Sequence, residues 1–303
     1  MRETVTNSRN TVLVFMAPIV SFGVTLLLII ISAALITLSP HIQGYTSNAS
    51  SSNTSSSVMF HNNDQSTVQI HSLVFSANSK PYNLTYGEWT ARWWQWGYSI
   101  PKNINPAYDN TGKNCAQKQN GQVWFLAGTF GHSVNRACTI PIGKAILLPI
   151  LNSECSFAEF PKLKTLSELR ICGKTIQDHV TTLYASLDGV PIPHLQQYRI
   201  QSPPFNFTLP RNNILGMRPN TTTEAIADGN WLFLKSLSPG VHKLIFKGGV
   251  QQLTKMEANS TNDIGGSFAF PSGWDFETTY DLTVSNAING YYSHHSYPNN
   301  KGL

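Results

Sequence analysis

The sequence predicts a mainly β, sandwich-like antiparallel domain with one or two short helices, carried on a single N-terminal transmembrane helix. Three observations predict it. The run from Val12 to Leu38 contains no charged residue and no histidine. Downstream of it, short apolar runs are separated by Gly-, Pro- and Asp-bearing turns, and strands spaced in this way build sandwiches or barrels. All four cysteines also lie downstream of the run, an even count that reads as a disulfide framework.

The apolar run comes first in the chain. Its 27 residues make roughly 40 Å of helix at about 1.5 Å per residue, more than the ~30 Å hydrocarbon core of a bilayer. Pro18 falls in the first turn or so, where a missing N–H costs little, and Pro40 closes the run. Arg2, Arg9 and the amino terminus precede it against one acid, Glu3, and no Lys or Arg follows until Lys80. Basic residues stay cytoplasmic, so 1–11 is expected inside and the rest of the chain outside a cell membrane crossed once. A cleaved signal peptide is the rival, but its apolar region spans about 7–15 residues. Ser32-Ala33-Ala34 also makes a poor cleavage site, because apolar residues continue to Leu38. Residues 12–38 therefore read as a retained signal-anchor in contact with the lipid bilayer.

Residues 39–66 read as a stalk. Every residue from Thr46 to Ser57 is Ser, Thr, Asn or Ala, a composition with nothing to bury against chain entropy. Asn-x-Ser/Thr sequons occur at Asn48, Asn53, Asn83, Asn206, Asn220 and Asn259, all beyond the anchor, so the chain is expected to be a glycoprotein.

The body is expected over 67–285, with a frayed tail at 286–303. Val68–Phe75 is a short apolar run ahead of a turn. Thr85-Tyr-Gly-Glu88 has capping-box spacing and opens a helix to about Gly97. Gln122–Ala127 and Lys144–Ile150 are apolar runs bounded by glycine and read as buried strands. Thr165 to about Thr182 reads as one or two short helices interrupted at Gly173. Leu183–Leu187 runs into Asp188-Gly189, a hairpin signal. Trp231–Lys235 and His242–Lys247 flank Ser238-Pro-Gly240 and read as a second hairpin. Phe276–Val284 is a last alternating strand, with Phe276, Thr278, Tyr280, Leu282 and Val284 on one face.

Cys115, Cys138, Cys155 and Cys172 allow three disulfide connectivities. Sequential pairing closes the shortest loops and is the expected one. No C-x2-C or H-x3-H spacing supports zinc, and no metal or cofactor is expected. The net charge is +5 and only 12% of residues are charged. With no run of basic residues, the chain lacks the footprint of a nucleic-acid surface. The loop 105–114 is rich in oxygen ligands, but its single acid, Asp109, is too few for a calcium loop. No G-x-S-x-G, H-E-x-x-H or P-loop is present.

Two places carry candidate functional residues. On the predicted helix Trp89, Trp93 and Trp96 share one face with Tyr86, the face expected to pack on the sheet. Trp94 and Tyr98 form a second patch more than about 100° away. It is either covered by a loop such as 103–114 or open as a stacking platform for a sugar or a protein surface. The loop Gly128–Arg136 follows a predicted strand and is positioned to present His132 and Arg136 to a ligand, with Glu154 close in sequence. The expectation is a binding or interaction domain for a polysaccharide or a neighbouring envelope protein. The alternative is an extracellular hydrolase using Glu154 and His132 as acid and base.

The Trp89-x3-Trp93-Trp94-x-Trp96 pattern, Val123–Thr129, Arg136–Lys144, Leu237-x-Pro-Gly-x-His242 and the final Tyr280-x-Leu-x-Val284 strand together resemble a group of exported archaeal and bacterial proteins. The resemblance runs from about Tyr86 to Val284. It implies export and a shared domain, and brings no activity, substrate or catalytic residue with it.

Overall fold

A computed structural model describes residues 70–251 and 274–286. The predicted anchor, the stalk, the tail beyond 286 and the sequons Asn48, Asn53 and Asn259 lie outside the described residues. Among the described residues no helix is long and apolar enough to cross a membrane.

The described chain is mainly β, with two five-stranded sheets and few short helices, an arrangement consistent with a sandwich. In chain order the elements are α1 (Tyr86–Ser99), β1 (Val123–Phe125), β2 (Val134–Pro141), β3 (Ala145–Ser156), α2 (Leu166–Gln177), β4 (Val180–Leu187), β5 (Val190–Pro191), β6 (Arg199–Gln201), β7 (Phe205–Thr208), β8 (Thr222–Leu234), β9 (Gly240–Val250) and β10 (Trp274–Ser285). The first sheet runs β1-β3-β8-β6, with β7 also paired to β8, and the second runs β2-β10-β9-β4-β5.

The sheets are mixed rather than wholly antiparallel. β1 lies parallel to β3 and β2 lies parallel to β10, while the other pairs are antiparallel. β3 is buried along almost its whole length, which explains why Ala145–Leu151 reads as a continuous apolar run instead of an alternating one. It touches β9 and β4 of the second sheet as well as α2. Gly248 on β9 permits that contact: a Cβ there would lie 2.9 Å from Leu151 Cδ1 and 3.0 Å from the Ile150 carbonyl. β10 keeps the predicted alternation, with Phe276, Thr278, Tyr280, Leu282 and Val284 all buried.

Local signals forecast local structure. Thr85 caps α1 as read, its hydroxyl accepting from the Glu88 amide while the Glu88 carboxylate accepts from the Thr85 N–H. Asp188 and Gly189 join β4 to β5 with φ of 52° and 79°, the positive values that a two-residue type I′ turn demands.

Two expectations are corrected. The pair flanking Ser238-Pro-Gly240 is not a hairpin: β8 belongs to the first sheet and β9 to the second. Both edges of β8 at this end are already occupied. Leu234 pairs with Ile146 of β3 on one side and bridges Val74 on the other, where Phe75 N–H donates to the Phe233 carbonyl at 2.8 Å. The turn therefore carries the chain from one sheet to the other. The apolar run read at 68–75 is helical at 70–73 where it is described. Finally, α2 passes through Gly173 without a break and ends at Gln177, and Val180–Thr182 belong to β4. Gly173 instead faces β8, where a Cβ would meet Asp228 Cβ at 3.5 Å.

Both disulfides follow the sequential pairing, Cys115–Cys138 and Cys155–Cys172. Cysteines oxidised in this way fit an oxidising, extracellular environment.

Candidate functional site

The site begins with α1. Its first face is buried as predicted, and each of its three indoles donates to a loop carbonyl. Trp89 Nε1 reaches Pro81, Trp93 Nε1 reaches Leu126 and Trp96 Nε1 reaches Gln117, all at 2.8 Å. Trp93 also packs edge-on against Trp231 of β8 at 5.4 Å between centroids. The helix is thus fixed to the sheet by apolar contact and to three loops by hydrogen bonds, so the opposite face is held rigidly.

That opposite face carries Trp94 and Tyr98, and neither is an open platform. Trp94 is 8% exposed and Tyr98 3%. Their rings lie 5.2 Å apart, and Tyr98 stacks on Phe207 of β7 at 4.2 Å. Both line a cavity of about 500 Å³ between α1, β3, the 105–108 turn, the 127–131 loop and the 214–215 segment. The exposed rings Tyr108 and Phe130 pack together, 4.9 Å apart, on the same cavity. Walls of this kind suit a ligand with apolar or aromatic surface.

The polar end of the cavity is a carboxyl pair. Glu154 projects from β3 and is 4% exposed. Its Oε2 accepts from the Tyr98 hydroxyl at 2.5 Å, while its Oε1 meets no N–H or hydroxyl donor among the described residues. Glu159 follows in the turn after β3, half-buried, with its Oε2 accepting from the Ser156 hydroxyl at 2.6 Å. Burial holds the Glu154 pKa well above the usual carboxylate range, and the neighbouring Glu159 raises it further. Burial raises Glu159 as well. Two carboxyls in one poorly solvated place cannot both ionise cheaply, so the pair retains a proton that lets one hydrogen bond to the other. Burial, then the Glu154 charge, pushes the Tyr98 hydroxyl up, so it remains a donor.

Two further polar groups at the cavity lack partners. Trp94 Nε1 and Asn152 Nδ2 are both buried atoms with no acceptor among the described residues, and both residues line the cavity. Buried donors left unpaired cost about 1–3 kcal/mol each. They are not peculiar to the cavity: Trp124 Nε1, Trp231 Nε1 and Thr278 Oγ1 are likewise buried without a partner among the described residues.

The predicted loop residues divide. Arg136 is buried and does not line the cavity. Its guanidinium donates to the carbonyls of Asp109, Ala127 and Gly128 at 2.7, 2.6 and 3.1 Å, and to the Tyr280 hydroxyl at 2.9 Å. It is a clamp behind the wall, because the carbonyls of a loop crossing over strands need donors and the guanidinium fork supplies several at once. His132 is exposed, with Nε2 3.1 Å from Asn110 Oδ1, and it too is absent from the cavity lining. Glu154 is therefore brought together with Tyr98 and Glu159, not with His132 or Arg136. Sequence reasoning passed over Glu159 and Ser156. The signal available for them was a Glu-x4-Glu spacing at the end of an apolar strand, which alone distinguishes nothing from a solvated turn.

A second groove of about 420 Å³ runs along the polar strip of α1 past Arg92, Gln95 and Lys118. Its polar groups are engaged: Gln95 Nε2 donates to the Asn206 carbonyl, Lys118 Nζ donates to the Ser99 carbonyl, and Arg92 lies over the Trp89 ring. The described sequons Asn83, Asn206 and Asn220 are exposed.

Comparison with family models, with curated proteins and with solved structures finds no match for this chain.

Proposed function

We propose that this chain is an extracytoplasmic ligand-binding protein, tethered by residues 12–38 and the stalk to the membrane, whose ligand enters the cavity between α1 and β3. The observation that carries the reading is the coincidence of aromatic walls with buried polar groups. Trp94 Nε1 and Asn152 Nδ2 lack acceptors, and the Glu154–Glu159 carboxyl pair sits, beside a space large enough for a small molecule or the end of a chain. A core packed for stability alone would fill such a space. The expected ligand is consequently something that inserts, such as a chain terminus or a side group of an envelope polymer, rather than a polymer face lying across an exposed ring.

Trp94→Ala tests the reading. It removes one wall and one orphaned donor without touching the bonds made by Trp89, Trp93 and Trp96. The variant should fold, with native near-ultraviolet circular dichroism, and lose the thermal upshift that a binding ligand gives the parent protein in a screen of envelope components. A ligand that shifts both proteins equally would place its binding elsewhere and overturn the assignment of this cavity.

A further inference from the structure

The cavity is charged in one sense only. Its ionisable lining groups are Glu154 from β3, Glu159 from the turn after it, Tyr98 from α1 and Tyr108 from the 105–108 turn, with no Lys, Arg or His among the lining residues. The neighbouring cations are committed. Arg136 holds the Ala127 and Gly128 carbonyls from behind the wall, and Lys102 Nζ lies 4.9 Å from the Tyr108 ring centroid. Ser156, the remaining polar neighbour of the pair, already donates to Glu159.

We propose that the ligand is a small organic ammonium ion, its nitrogen against Glu154 and Glu159 and its apolar body between the aromatic rings. The inference rests on reading the cavity as a ligand site. Three observations support it. Glu154 and Glu159 are two carboxyls on the cavity lining, to which an ammonium would donate N–H bonds with charge assistance. Trp94, Tyr98, Tyr108 and Phe130 surround the space with rings, whose faces attract cations. An anionic ligand would have to enter beside two carboxyls with no basic side chain to offset them.

The proton held by the pair gives the proposal a signature. An ammonium ion placed between the carboxyls takes over the neutralising role of that proton, so binding releases it and strengthens as pH rises. A neutral ligand leaves the proton where it is and shows no such dependence.

The test uses the full chain and three probes of nearly one shape: 2-phenylethylamine, 2-phenylethanol and 3-phenylpropionate, followed by quenching of tryptophan fluorescence. At about pH 8 the amine should bind at least roughly tenfold more tightly than the alcohol, with the carboxylate weakest. The preference should shrink toward pH 5, and calorimetry in buffers of different ionisation enthalpy should register proton release. Glu154→Gln and, separately, Glu159→Gln should lose the preference while keeping the alcohol. The parent protein decides the matter even if a variant misfolds. Equal or tighter binding of the alcohol or the carboxylate would overturn the cationic ligand and leave the cavity as a binding site. Failure of all three probes to quench would overturn the binding reading together with it.

Discussion

The chemistry of the site resides in single side chains whose surroundings change what they are. Glu154 on a surface would be an ordinary carboxylate, but burial beside Glu159 raises its pKa well above the usual range. A group whose pKa is raised by folding binds its proton more tightly in the folded state. Its contribution to stability is complete below the ordinary carboxylate value of about 4.3 and is lost as pH climbs through the raised value. The protein should therefore become less stable from about pH 4 toward neutrality, by an amount that Glu154→Gln removes. Urea midpoints of both proteins across that range measure it, and parallel pH profiles would refute it. The comparison with the variant matters because Asp109 and Asp178, whose pKa values are lowered by their hydrogen bonds despite partial burial, give slopes of opposite sign. Arg136 makes the complementary case. Replacing it by Met leaves the Asp109, Ala127 and Gly128 carbonyls without its donors, which should cost about 3–5 kcal/mol. Lys, a single point donor, should recover less than half of that loss; full recovery by Lys would show that charge, not the fork, is what matters. Arg136 and Glu154 were both visible as chemistry-bearing residues in the sequence. Which of them faces the cavity was not, because that depends on the alternation of two strands, β2 and β3, in different sheets.

Among the elements, α2 shows how a short helix is secured to a sheet it does not belong to. Thr165 and Glu168 cap it reciprocally, Glu168 N–H donating to the Thr165 hydroxyl at 3.3 Å and Thr165 N–H to the Glu168 carboxylate at 2.8 Å. Arg199 on β6 bridges Asp228 of β8 at 3.1 Å and Asp178 just beyond α2 at 2.8 Å. The Cys155–Cys172 bond joins it to β3 within a small separate core of Phe160, Leu163, Leu169 and Ile226. The double substitution Cys155→Ser, Cys172→Ser should cost about 3 kcal/mol through the 17-residue separation it opens. The loss should appear first as faster amide exchange in α2 than in β9. Uniform acceleration across both elements would instead mean that α2 unfolds only with the whole domain. Because Glu154 and Glu159 flank Cys155, loosening this helix should also disturb the carboxyl pair. Local signals reveal this element only in part. The cap can be read from Thr-x-x-Glu spacing, whereas Gly173 reads as a break because its role, close approach to Asp228, is a tertiary one.

At the scale of the whole molecule the same division holds. Turns, caps and the alternation of β10 are short-range and were readable. The parallel pairing of β1 with β3 and of β2 with β10 was not, since no local pattern distinguishes a parallel partner from an antiparallel one. The crossing of β8 to β9 was hidden for a related reason: a Ser-Pro-Gly turn specifies a reversal of direction, not the sheet in which the returning strand finds a free edge. Charge and cysteine chemistry make one joint prediction about where this body sits relative to a membrane. If Arg2 and Arg9 hold the N-terminus inside, residues beyond Leu38 fold in an oxidising space and both disulfides form. A cytoplasmic body would keep four reduced thiols instead. Protease added to intact cells should then remove the body, and the protein, denatured without reductant, should take up no maleimide until its disulfides are reduced. Each half checks the other, because a protected body with four labelled thiols reverses the topology, whereas a protected body with none would place it in a closed oxidising compartment. The exposed Asn83, Asn206 and Asn220 give the outcome a consequence for the site. Asn206 lies on β7 between Phe205 and Phe207, and Phe207 stacks on Tyr98, so a glycan there would extend from the strand that supports the cavity wall while leaving its lining residues untouched.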